Sequence, residues 1–442
     1  MDVVISYSIY LLLFLTFLLA PIDITLNISV LGFNIRMGFL VMIILATFLG
    51  VVLVRDMLAK KQKISLPLYL VILLAVGILN LFFVPNSVYI PRGLIYALTL
   101  LLFAFLMMFL INTKNYFDFE KVLDIYILSF GIHALVGGAQ FILFYGFGIN
   151  FFLTQPGRIN GFTYEPSYYV TYMSPGLIIT LMMALYLNTN NKAKMIFYSL
   201  TASLILVVLI FSTSKLALVE VLIVLLLMVL MFLVLKVSQL LKNQNFTKNL
   251  MYLLAFTVVF SGIFYIGGNI STIFKEISGS SGEVSYIKKT EEVVSTYKET
   301  SLDIRLSQFK ETLQIALENP LIGKSLGGVA PYRALKDGTV PKSNEDVKKY
   351  EGMNIFAEML AGFGVFGFLL MLGFIFLISY EAIALSLKVG ADLGIISMGL
   401  MLGFLLELFL LMFNQNVLRL YLWVHISLLA LVVEHIRGLV AS

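Results

Sequence analysis

The chain has 442 residues, of which 60% are hydrophobic and only 12% are charged, and its formal net charge is +5. Soluble domains carry about 25% charged residues, so this chain has too few to cover a water-facing surface. The composition excludes a soluble enzyme, a nucleic-acid-binding protein and a secreted disulfide-bonded domain. It is typical of a polytopic membrane protein, and we predict an all-α fold.

About twelve apolar runs are long enough to cross a membrane, since a spanning helix needs about 20 apolar residues. We interpret the first run as a helix and not as a signal peptide, because it lacks a basic start and a small-residue cleavage site. The runs lie near residues 5–24, 37–54, 65–85, 93–112, 121–146, 167–188, 194–213, 216–236, 249–268, 354–378, 391–413 and 418–436.

The distribution of basic residues predicts the orientation, because lysine and arginine favour short loops on the cytoplasmic side. With the N-terminus inside, thirteen basic residues fall in inner loops and five in short outer loops. We therefore expect both termini in the cytoplasm. The five outer residues are Arg36, Arg92, Arg158, Lys215 and Arg419.

One long charged segment, residues 269–352, interrupts the apolar runs and carries 24 of the 55 charges of the chain. We expect a solvated extramembrane loop domain here, on the outer side, between one set of helices in residues 1–268 and a second set in residues 353–442. Residues 278–282 are glycine and serine and are expected to be flexible.

The middle of this loop is expected to be helical, because apolar residues recur there at helical spacing. These residues are Leu306, Phe309, Leu313 and Leu317. Asn319-Pro320 is expected to end the helix, and three glycines follow it. We therefore expect a partly helical loop that folds back on the membrane.

The outer basic residues have two interpretations. Each one alone can be an interfacial residue whose side chain reaches water. Taken together, four arginines at the outer ends of helices favour a site for a pyrophosphate, because the planar guanidinium group binds phosphate oxygens in a bidentate manner. An anionic lipid-linked substrate is the more specific hypothesis.

Residues 155–169 join the fifth and sixth predicted helices and hold the densest group of chemically reactive side chains. Pro166 suits the first turn of the sixth helix, and Glu165 then lies at the N-terminal end of that helix. One interpretation is a surface pair of Arg158 and Glu165, worth under about 1 kcal/mol. The other is a phosphate-binding Arg158 beside a general base, Glu165, with a sugar-stacking surface formed by Tyr164, Tyr168 and Tyr169.

Carboxylates inside the predicted spans are costly to bury. For Glu220, we expect structural pairing with a basic residue. Glu407 is followed by polar residues 414–416 and by Arg419, which makes the outer end of its helix polar. We expect His133 and His425 to be buried and hydrogen-bonded, not catalytic.

Metal and cofactor chemistry are not indicated. The chain has no cysteine, and its three histidines are too scattered for a histidine metal site. No pair of carboxylates on the outer side suggests a required divalent cation. The lysines are dispersed among apolar spans, so no nucleic acid partner is expected.

Three local patterns, with the helix number and the late outer loop, resemble the O-antigen polymerase and O-antigen ligase superfamily. The first is Arg158-x-x-Gly161-x-x-x-Glu165-Pro166-Ser167. The second is Arg305 with the helix that follows it, and then Asn319-Pro320, Gly323 and Gly327. The third is Asn354-x-x-x-Glu358-x-x-x-Gly362-x-Gly364-x-x-Gly367.

The resemblance implies a GT-C-like, metal-independent membrane glycosyltransferase. Such enzymes act at the outer face of the bacterial inner membrane on glycans linked to undecaprenyl pyrophosphate. A polymerase transfers the growing glycan onto the next lipid-linked repeat unit, and a ligase transfers it to lipid A-core. The implied partners are the lipid-linked oligosaccharide, membrane lipid, a chain-length regulator and a flippase.

Within the superfamily, we expect a polymerase of O-antigen or of a related surface polysaccharide. Many ligases carry a histidine near the end of the loop, where this chain has Met353-Asn354, and the segment containing Glu165 favours the polymerase. The alternatives are an O-antigen ligase and a transporter or flippase for lipid-linked sugars. The single large outer loop and the absence of inverted repeats count against a transporter.

The polymerase hypothesis assigns roles to individual residues. Arg158 and Arg305 are expected to stabilise the pyrophosphate leaving group. Glu165 is expected to take the proton from the attacking sugar hydroxyl. The expected substrate-binding residues are Arg36, Arg92, Arg419, Tyr164, Tyr168, Tyr169, Asn354 and Glu358.

Overall fold

The computed structural model describes residues 2–25, 27–30, 33–59, 64–155, 157–186, 191–212, 221–224, 226–227, 246–278, 300–352, 354–389, 391–413 and 417–441. Within them, ten helices are long and apolar enough to cross a membrane, and a shorter apolar helix covers Val3–Leu19. The predicted all-α polytopic membrane fold is confirmed. The predicted span at 216–236 lies largely outside the described residues, as do Lys215, Glu220 and residues 279–282.

The structure describes seven long helices and a small hairpin in residues 2–212. They are α1 (Asp2–Leu19), β1 (Asn27–Val30), β2 (Phe33–Arg36), α2 (Met37–Leu58), α3 (Leu68–Phe83), α4 (Ile90–Asn112), α5 (Phe119–Phe141), α6 (Pro166–Tyr186) and α7 (Lys192–Phe211). A π-helical turn, Ile142–Gly146, extends α5, and short 3-10 turns lie at Val84–Asn86 and Lys114–Tyr116.

Among the described residues from 246 onwards, there are four long apolar or amphipathic helices and the helices of the loop. They are α8 (Phe246–Ser278), α9 (Thr300–Glu318), α10 (Val329–Lys336), α11 (Ile355–Ser386), α12 (Ala391–Leu410) and α13 (Leu420–Ala441). Short 3-10 turns lie at Leu326–Gly328 and Glu345–Tyr350.

Helix α6 lies at the centre of the bundle. Every residue from Pro166 to Tyr186 is buried, which matches a helix that is apolar on all sides. Helices α12, α7 and α8 pack against it. In contrast, α8 has an outer face with exposed Met251, Val258 and Ile266, as expected for a helix that contacts lipid.

The two ends of the bundle differ in the chain segments that lie there. At one end of the bundle, α1 and α3 finish and α2, α4 and α6 begin. We call this end the loop end, because residues 147–165 and 319–354 also lie there. At the opposite end, Ser6 donates to the carbonyl of Tyr116, and Lys114 Nζ donates to the carbonyl of Glu434 at 2.9 Å. The first and last helices therefore both contact the Lys114–Tyr116 turn at the opposite end.

The first predicted span ends earlier than expected, and the chain then forms an unexpected hairpin. Helix α1 stops at Leu19 because Pro21 follows, and proline cannot continue the backbone hydrogen bonding of a helix. Strands β1 and β2 pair antiparallel, with Asn27 opposite Arg36. The hairpin brings Arg36 back to the loop end, directly before α2.

The loop folds back on the bundle, as predicted. Helix α9 packs against α11, and Ile315 contacts Val329 and Ala361 in a small apolar cluster. The predicted apolar stripe on α9 is only partly buried, because Leu306 and Leu317 are exposed. The buried face of α9 lies instead around Thr312.

Glycines let the loop backbone lie directly against α11. The Lys324 N–H donates to the Ala361 carbonyl at 2.9 Å, and the Val365 N–H donates to the Pro320 carbonyl at 2.7 Å. A Cβ atom at Gly323 would lie 2.1 Å from the Gly362 carbonyl oxygen. Helix α11 is interrupted here, because Gly364 has φ of 65°. The second and third sequence patterns thus meet in space.

Candidate active site at the loop end

Two arginines from distant parts of the chain share one carboxylate at the loop end. Arg36 Nε contacts one oxygen of Asp23 at 2.9 Å, and Arg419 Nη1 contacts the other oxygen at 2.9 Å. Asp23 and Arg419 are both buried. Because two guanidinium groups share one carboxylate, this Arg–Asp–Arg triad has a formal charge of +1.

Arg419 also stacks on an aromatic ring from the start of α6. Its guanidinium carbon lies 3.9 Å from the ring centroid of Tyr168, which is the geometry of a cation–π contact. Burial is the largest single influence on the pKa of Arg419 and lowers it, but the neighbouring acidic groups, Asp23 first among them, together outweigh burial and raise the pKa above its usual value. Arg419 therefore stays cationic at every pH that a cell experiences.

A second group of charges links the first turn of α4 to the end of the loop. Arg92 Nη2 contacts Glu351 at 2.6 Å, Arg92 Nη1 donates to Asn344, and the guanidinium carbon lies 4.7 Å from the centroid of the Tyr96 ring. Arg92 is buried, although it lies at the end of a spanning helix. Its charge interacts with that of Glu358 as well.

The two groups lie within electrostatic range of each other. Arg419 interacts with the carboxylate of Glu351, which is the partner of Arg92. Tyr168, which stacks on Arg419, lies within range of the carboxylates of Glu165 and Glu351. The loop end therefore gathers three predicted substrate-binding arginines and the predicted general base into one charged cluster.

The segment that carries Glu165 has a fixed backbone path. Gln140 of α5 donates to the Gly161 carbonyl at 2.7 Å and accepts from the Gly161 N–H at 2.8 Å. Asn160 donates to the Thr163 carbonyl at 2.7 Å. Gly161 has φ of 56°, and a Cβ there would lie 2.7 Å from the Tyr169 ring, so this position needs glycine.

Glu165 is the residue that starts α6. Its carbonyl accepts from the N–H groups of Tyr168 and Tyr169, and its half-buried carboxylate accepts from the Ser167 hydroxyl at 3.1 Å. The Asp23 N–H donates to the Phe162 carbonyl at 2.9 Å, three residues before Glu165. The Glu165 segment and the Arg–Asp–Arg triad are therefore in direct contact.

The three predicted sugar-stacking tyrosines have different surroundings. Tyr164 is 64% exposed, whereas Tyr168 is 6% exposed and Tyr169 is fully buried. The Tyr169 hydroxyl donates to the His133 carbonyl at 2.8 Å, and Tyr168 packs on Arg419. Only Tyr164 presents a ring to the surface, so the other two act in packing and in positioning charge.

The two predicted leaving-group arginines, Arg158 and Arg305, each have a described hydrogen bond to a residue that is not part of the charged cluster. Arg158 Nη1 donates to Gln155 at 2.7 Å, within its own segment. Arg305 Nη1 donates to the Phe413 carbonyl at 2.5 Å. Asn354 caps α11 and also donates to the Met412 carbonyl at 3.1 Å. Arg305 and Asn354 therefore hold the turn that leads towards Arg419.

Glu358 supports the end of the loop. One of its carboxylate oxygens accepts from the Gly352 N–H at 3.2 Å, and a Cβ at Gly352 would lie 2.8 Å from the Glu358 side chain. The N–H that Glu358 accepts from is next to Glu351. Glu358 thus helps to orient the residue that pairs with Arg92.

The sequence analysis did not identify Asp23 and Glu351, the two carboxylates that pair with the outer arginines. The signal was present, because each one lies beside the end of an apolar run and on the predicted outer side. Their position was a signal, but no local pattern assigns either acid to a particular arginine, since the pairs are 259 and 396 positions apart in the chain.

The intramembrane polar residues pair with each other. Glu407 contacts His425 Nδ1 at 3.1 Å, and His425 Nε2 contacts the Leu400 carbonyl at 2.8 Å. His133 Nε2 contacts the Leu18 carbonyl at 2.8 Å. The prediction that His133 and His425 are buried and hydrogen-bonded is confirmed. These residues fix the packing of α1, α5, α12 and α13.

Residues 176–372 match the family model described as O-antigen ligase. The matched part contains Arg305, Asn354, Glu358 and the glycines that join the loop to α11, whereas the triad residues and Glu165 lie outside it. No curated protein matches the chain. Over residues 176–372, the match confirms the resemblance of this membrane protein to the O-antigen polymerase and ligase superfamily.

Proposed function

We propose that this protein is a polymerase of O-antigen or of a related surface polysaccharide. It transfers the growing glycan from undecaprenyl pyrophosphate onto the next lipid-linked repeat unit. The family match supports polymerase or ligase chemistry, and the loop end would face the periplasm. The observation that carries the proposal is the buried Arg–Asp–Arg triad beside the start of α6.

The triad suits a pyrophosphate because of its charge. Two guanidinium groups on one carboxylate give the triad a formal charge of +1, carried by the buried Arg419 and by Arg36, whose side chain is 25% exposed. Arginine binds phosphate oxygens through charge-assisted hydrogen bonds, so two arginines at one point favour an anion there. Arg36 is partly exposed and so offers a route for the phosphate from the surface.

The same charges would stabilise the transition state. When the bond between the anomeric carbon and the pyrophosphate breaks, negative charge develops on the leaving oxygen. Fixed guanidinium groups in a site that excludes water stabilise such charge without reorganisation. Arg419 is held by Asp23 and Tyr168, so it meets this requirement for a fixed position.

Glu165 is the proposed general base. Its carboxylate is half-buried, close to the triad, and its one described hydrogen bond within 3.5 Å comes from Ser167. An attacking sugar hydroxyl that displaces Ser167 would pass its proton to this carboxylate. The new glycosidic bond forms as the bond to the pyrophosphate breaks, and the pyrophosphate leaves with the bonding electron pair.

One observation favours a second candidate, an O-antigen ligase. The family model that matches residues 176–372 is described as O-antigen ligase. A ligase would use the same pyrophosphate leaving group but would transfer the glycan to lipid A-core. The acceptor is therefore the point on which the two candidates differ.

Deletion of the gene, with complementation by the wild-type protein, tests the proposal. Surface polysaccharide is separated by gel, and the undecaprenyl-linked glycans are extracted and sized. Loss of a polymerase leaves single repeat units on the core, because ligation continues. Loss of a ligase leaves bare core and polymer retained on the carrier lipid. Unchanged surface polysaccharide and unchanged carrier-linked glycans would overturn both candidates.

A further inference from the structure

Residues 320–324, which we call the loop turn, lie against α11 at the point where that helix is interrupted. The Val365 N–H donates to the Pro320 carbonyl at 2.7 Å. A Cβ atom at Gly364 would lie 2.4 Å from the Leu321 carbonyl oxygen. The loop turn therefore has a fixed height along a helix that is long and apolar enough to cross the membrane.

The height of the loop turn follows from the charges at the other end of α11. There Glu381 pairs with Arg437, and because charges are costly inside the bilayer, this pair marks the opposite membrane boundary. Val365 lies sixteen residues before Glu381, which is about 24 Å at a rise of about 1.5 Å per residue. The apolar core of a bilayer is about 30 Å thick, and a tilt of α11 would only shorten the distance across it. The loop turn therefore lies at the depth of the membrane leaflet at the loop end.

Two side chains of the loop turn are apolar and exposed. Leu321 is 60% exposed and Ile322 is 55% exposed. Phe366 and Leu369, which follow the interruption of α11, are exposed as well, as expected for a helix face that contacts lipid. The apolar surface of the loop turn therefore continues the lipid-facing surface of a spanning helix.

The backbone around the loop turn has partners within the protein. Besides its hydrogen bonds to α11, the Leu326 N–H donates to Asn80 Oδ1 of α3 at 3.0 Å, and Asn80 is fully buried. Non-helical backbone at membrane depth needs such partners, because lipid supplies none. Asn80, a polar residue within an apolar spanning helix, thus stabilises a piece of the loop at this depth.

Basic and aromatic side chains lie beside the two apolar ones. Lys324 Nζ lies 4.4 Å from the centroid of the Tyr332 ring, and Lys336 Nζ lies 5.5 Å from it. Lys336 also pairs with Glu318. Tyrosine is enriched at the level of lipid headgroups, and lysine there keeps its apolar stem in the membrane while its charge reaches water or phosphate. These groups suit a segment that lies in the membrane interface.

We propose that the loop turn is inserted into the membrane leaflet at the loop end, with Leu321 and Ile322 among the lipid acyl chains and Lys324 at the lipid phosphates. The partner is the bilayer itself, because the exposed surface continues that of α11 and lies at the depth of the leaflet. This inference goes beyond the proposed function, since it holds for a polymerase and for a ligase alike. The loop that carries Glu351 is then held by lipid as well as by α11.

The test uses single cysteines, because the chain has no cysteine of its own. Leu321→Cys and Ile322→Cys are labelled separately with a thiol-reactive fluorophore, in the full-length protein in nanodiscs of phosphatidylethanolamine and phosphatidylglycerol. Quenching is measured with a lipid that carries a nitroxide on its acyl chain and, separately, with iodide in the water. Phe376→Cys, at an exposed position within α11, gives the response of a label in lipid. Val340→Cys is the matched control in the loop, because Val340 is apolar and 63% exposed.

The turn that contains Val340 packs on the loop itself, which makes it a control for exposure to water. The preceding residue, Thr339, donates its N–H to the Ala334 carbonyl at 2.8 Å, and its hydroxyl lies 3.1 Å from that of Tyr350. We expect the nitroxide lipid to quench both loop-turn labels by at least half, as it quenches the label of Phe376→Cys. Iodide should quench them several-fold less than it quenches the label of Val340→Cys.

Two results would overturn the inference. In the first, iodide quenches the labels at Leu321 and Ile322 as strongly as the label at Val340, so that the loop turn lies in water. In the second, neither quencher reaches them, so that protein covers the loop turn. Because each position is labelled in its own variant, one that does not fold leaves the other to decide. The measurement involves no glycan, so its result is independent of the deletion experiment on the proposed function.

Discussion

Arg92 and Glu351 form an ion pair at 2.6 Å across 259 positions of the chain. The Arg92 side chain is 3% exposed and that of Glu351 is 23% exposed. The pair joins the first turn of α4 to the last residues of the loop, directly before α11 begins. It therefore fixes the loop on the bundle and determines the charge of the cluster near Arg419.

Removal of Glu351 should destabilise the protein more than removal of an exposed loop carboxylate. Glu351→Ala leaves Arg92 buried with its carboxylate partner gone, which we expect to cost about 1–3 kcal/mol, since Glu351 itself is partly exposed. Glu351→Gln keeps an acceptor oxygen and should cost less. Thermal unfolding in detergent measures both, with Glu345→Ala as the exposed control. If Glu351→Ala and Glu345→Ala have equal Tm values, the ion pair between Arg92 and Glu351 does not stabilise the protein.

The second prediction concerns the stacking of Arg419 on Tyr168. Tyr168→Phe keeps the aromatic ring and should leave the unfolding temperature and the polymer unchanged. Tyr168→Leu removes the cation–π contact, which is worth about 0.5–2 kcal/mol, and should lower both. If the leucine and phenylalanine variants behave alike in unfolding and in polymer gels, the contact does not position Arg419.

Most of the fold could be predicted from the sequence because spanning helices are encoded locally. Every predicted span outside 216–236 has a helix among the described residues, and α9 ends at Glu318, directly before Asn319-Pro320. Apolar length and helix-ending residues are properties of neighbouring positions, so a single sequence contains them. The hairpin was missed because its strands have only four residues each, and the interruption of α11 was missed because Gly364 meets Leu321 and Gly323 of the loop, a tertiary contact.

The candidate site could be predicted only in part. Arg36, Arg92 and Arg419 were identified as exceptions to the positive-inside distribution, and the structure gathers them at one end. Their partners Asp23 and Glu351 come from distant segments, and no local pattern links an arginine to a carboxylate 259 positions away. Tyr169 was assigned to a sugar-stacking surface, but adjacent aromatic residues on a central helix include buried ones.

Glu165 provides the third prediction, which concerns chemistry and not stability. Glu165→Gln keeps the shape of the side chain and an acceptor for the Ser167 hydroxyl, but it cannot take a proton. We expect full loss of polymer, with folded protein at normal levels in the membrane and single repeat units retained on the carrier lipid.

Ser167→Ala is the matched control for Glu165→Gln. It removes the hydroxyl that donates to Glu165 at 3.1 Å but keeps the carboxylate, so polymer should still form. Normal polymer from Glu165→Gln would exclude this residue as the general base. Loss of polymer from both variants would indicate that the start of α6, and not the proton transfer, was disturbed.

The glycine contact between the loop and α11 gives the last prediction. Gly323→Ala would place a Cβ atom 2.1 Å from the Gly362 carbonyl oxygen, and neither backbone can move without breaking the hydrogen bond from Lys324 to Ala361. Overpacking of this kind costs about 1–3 kcal/mol, so we expect a lower unfolding temperature and a loop that protease cleaves faster.

Gly373→Ala is the control for Gly323→Ala, because its position in α11 has nothing within 4 Å of the added Cβ atom. Alanine is favoured over glycine in helices by about 1 kcal/mol, so this variant should unfold at the same temperature or higher. The two substitutions are chemically identical and differ in what surrounds them. If both variants resist heat and protease equally, close contact at Gly323 does not hold the loop.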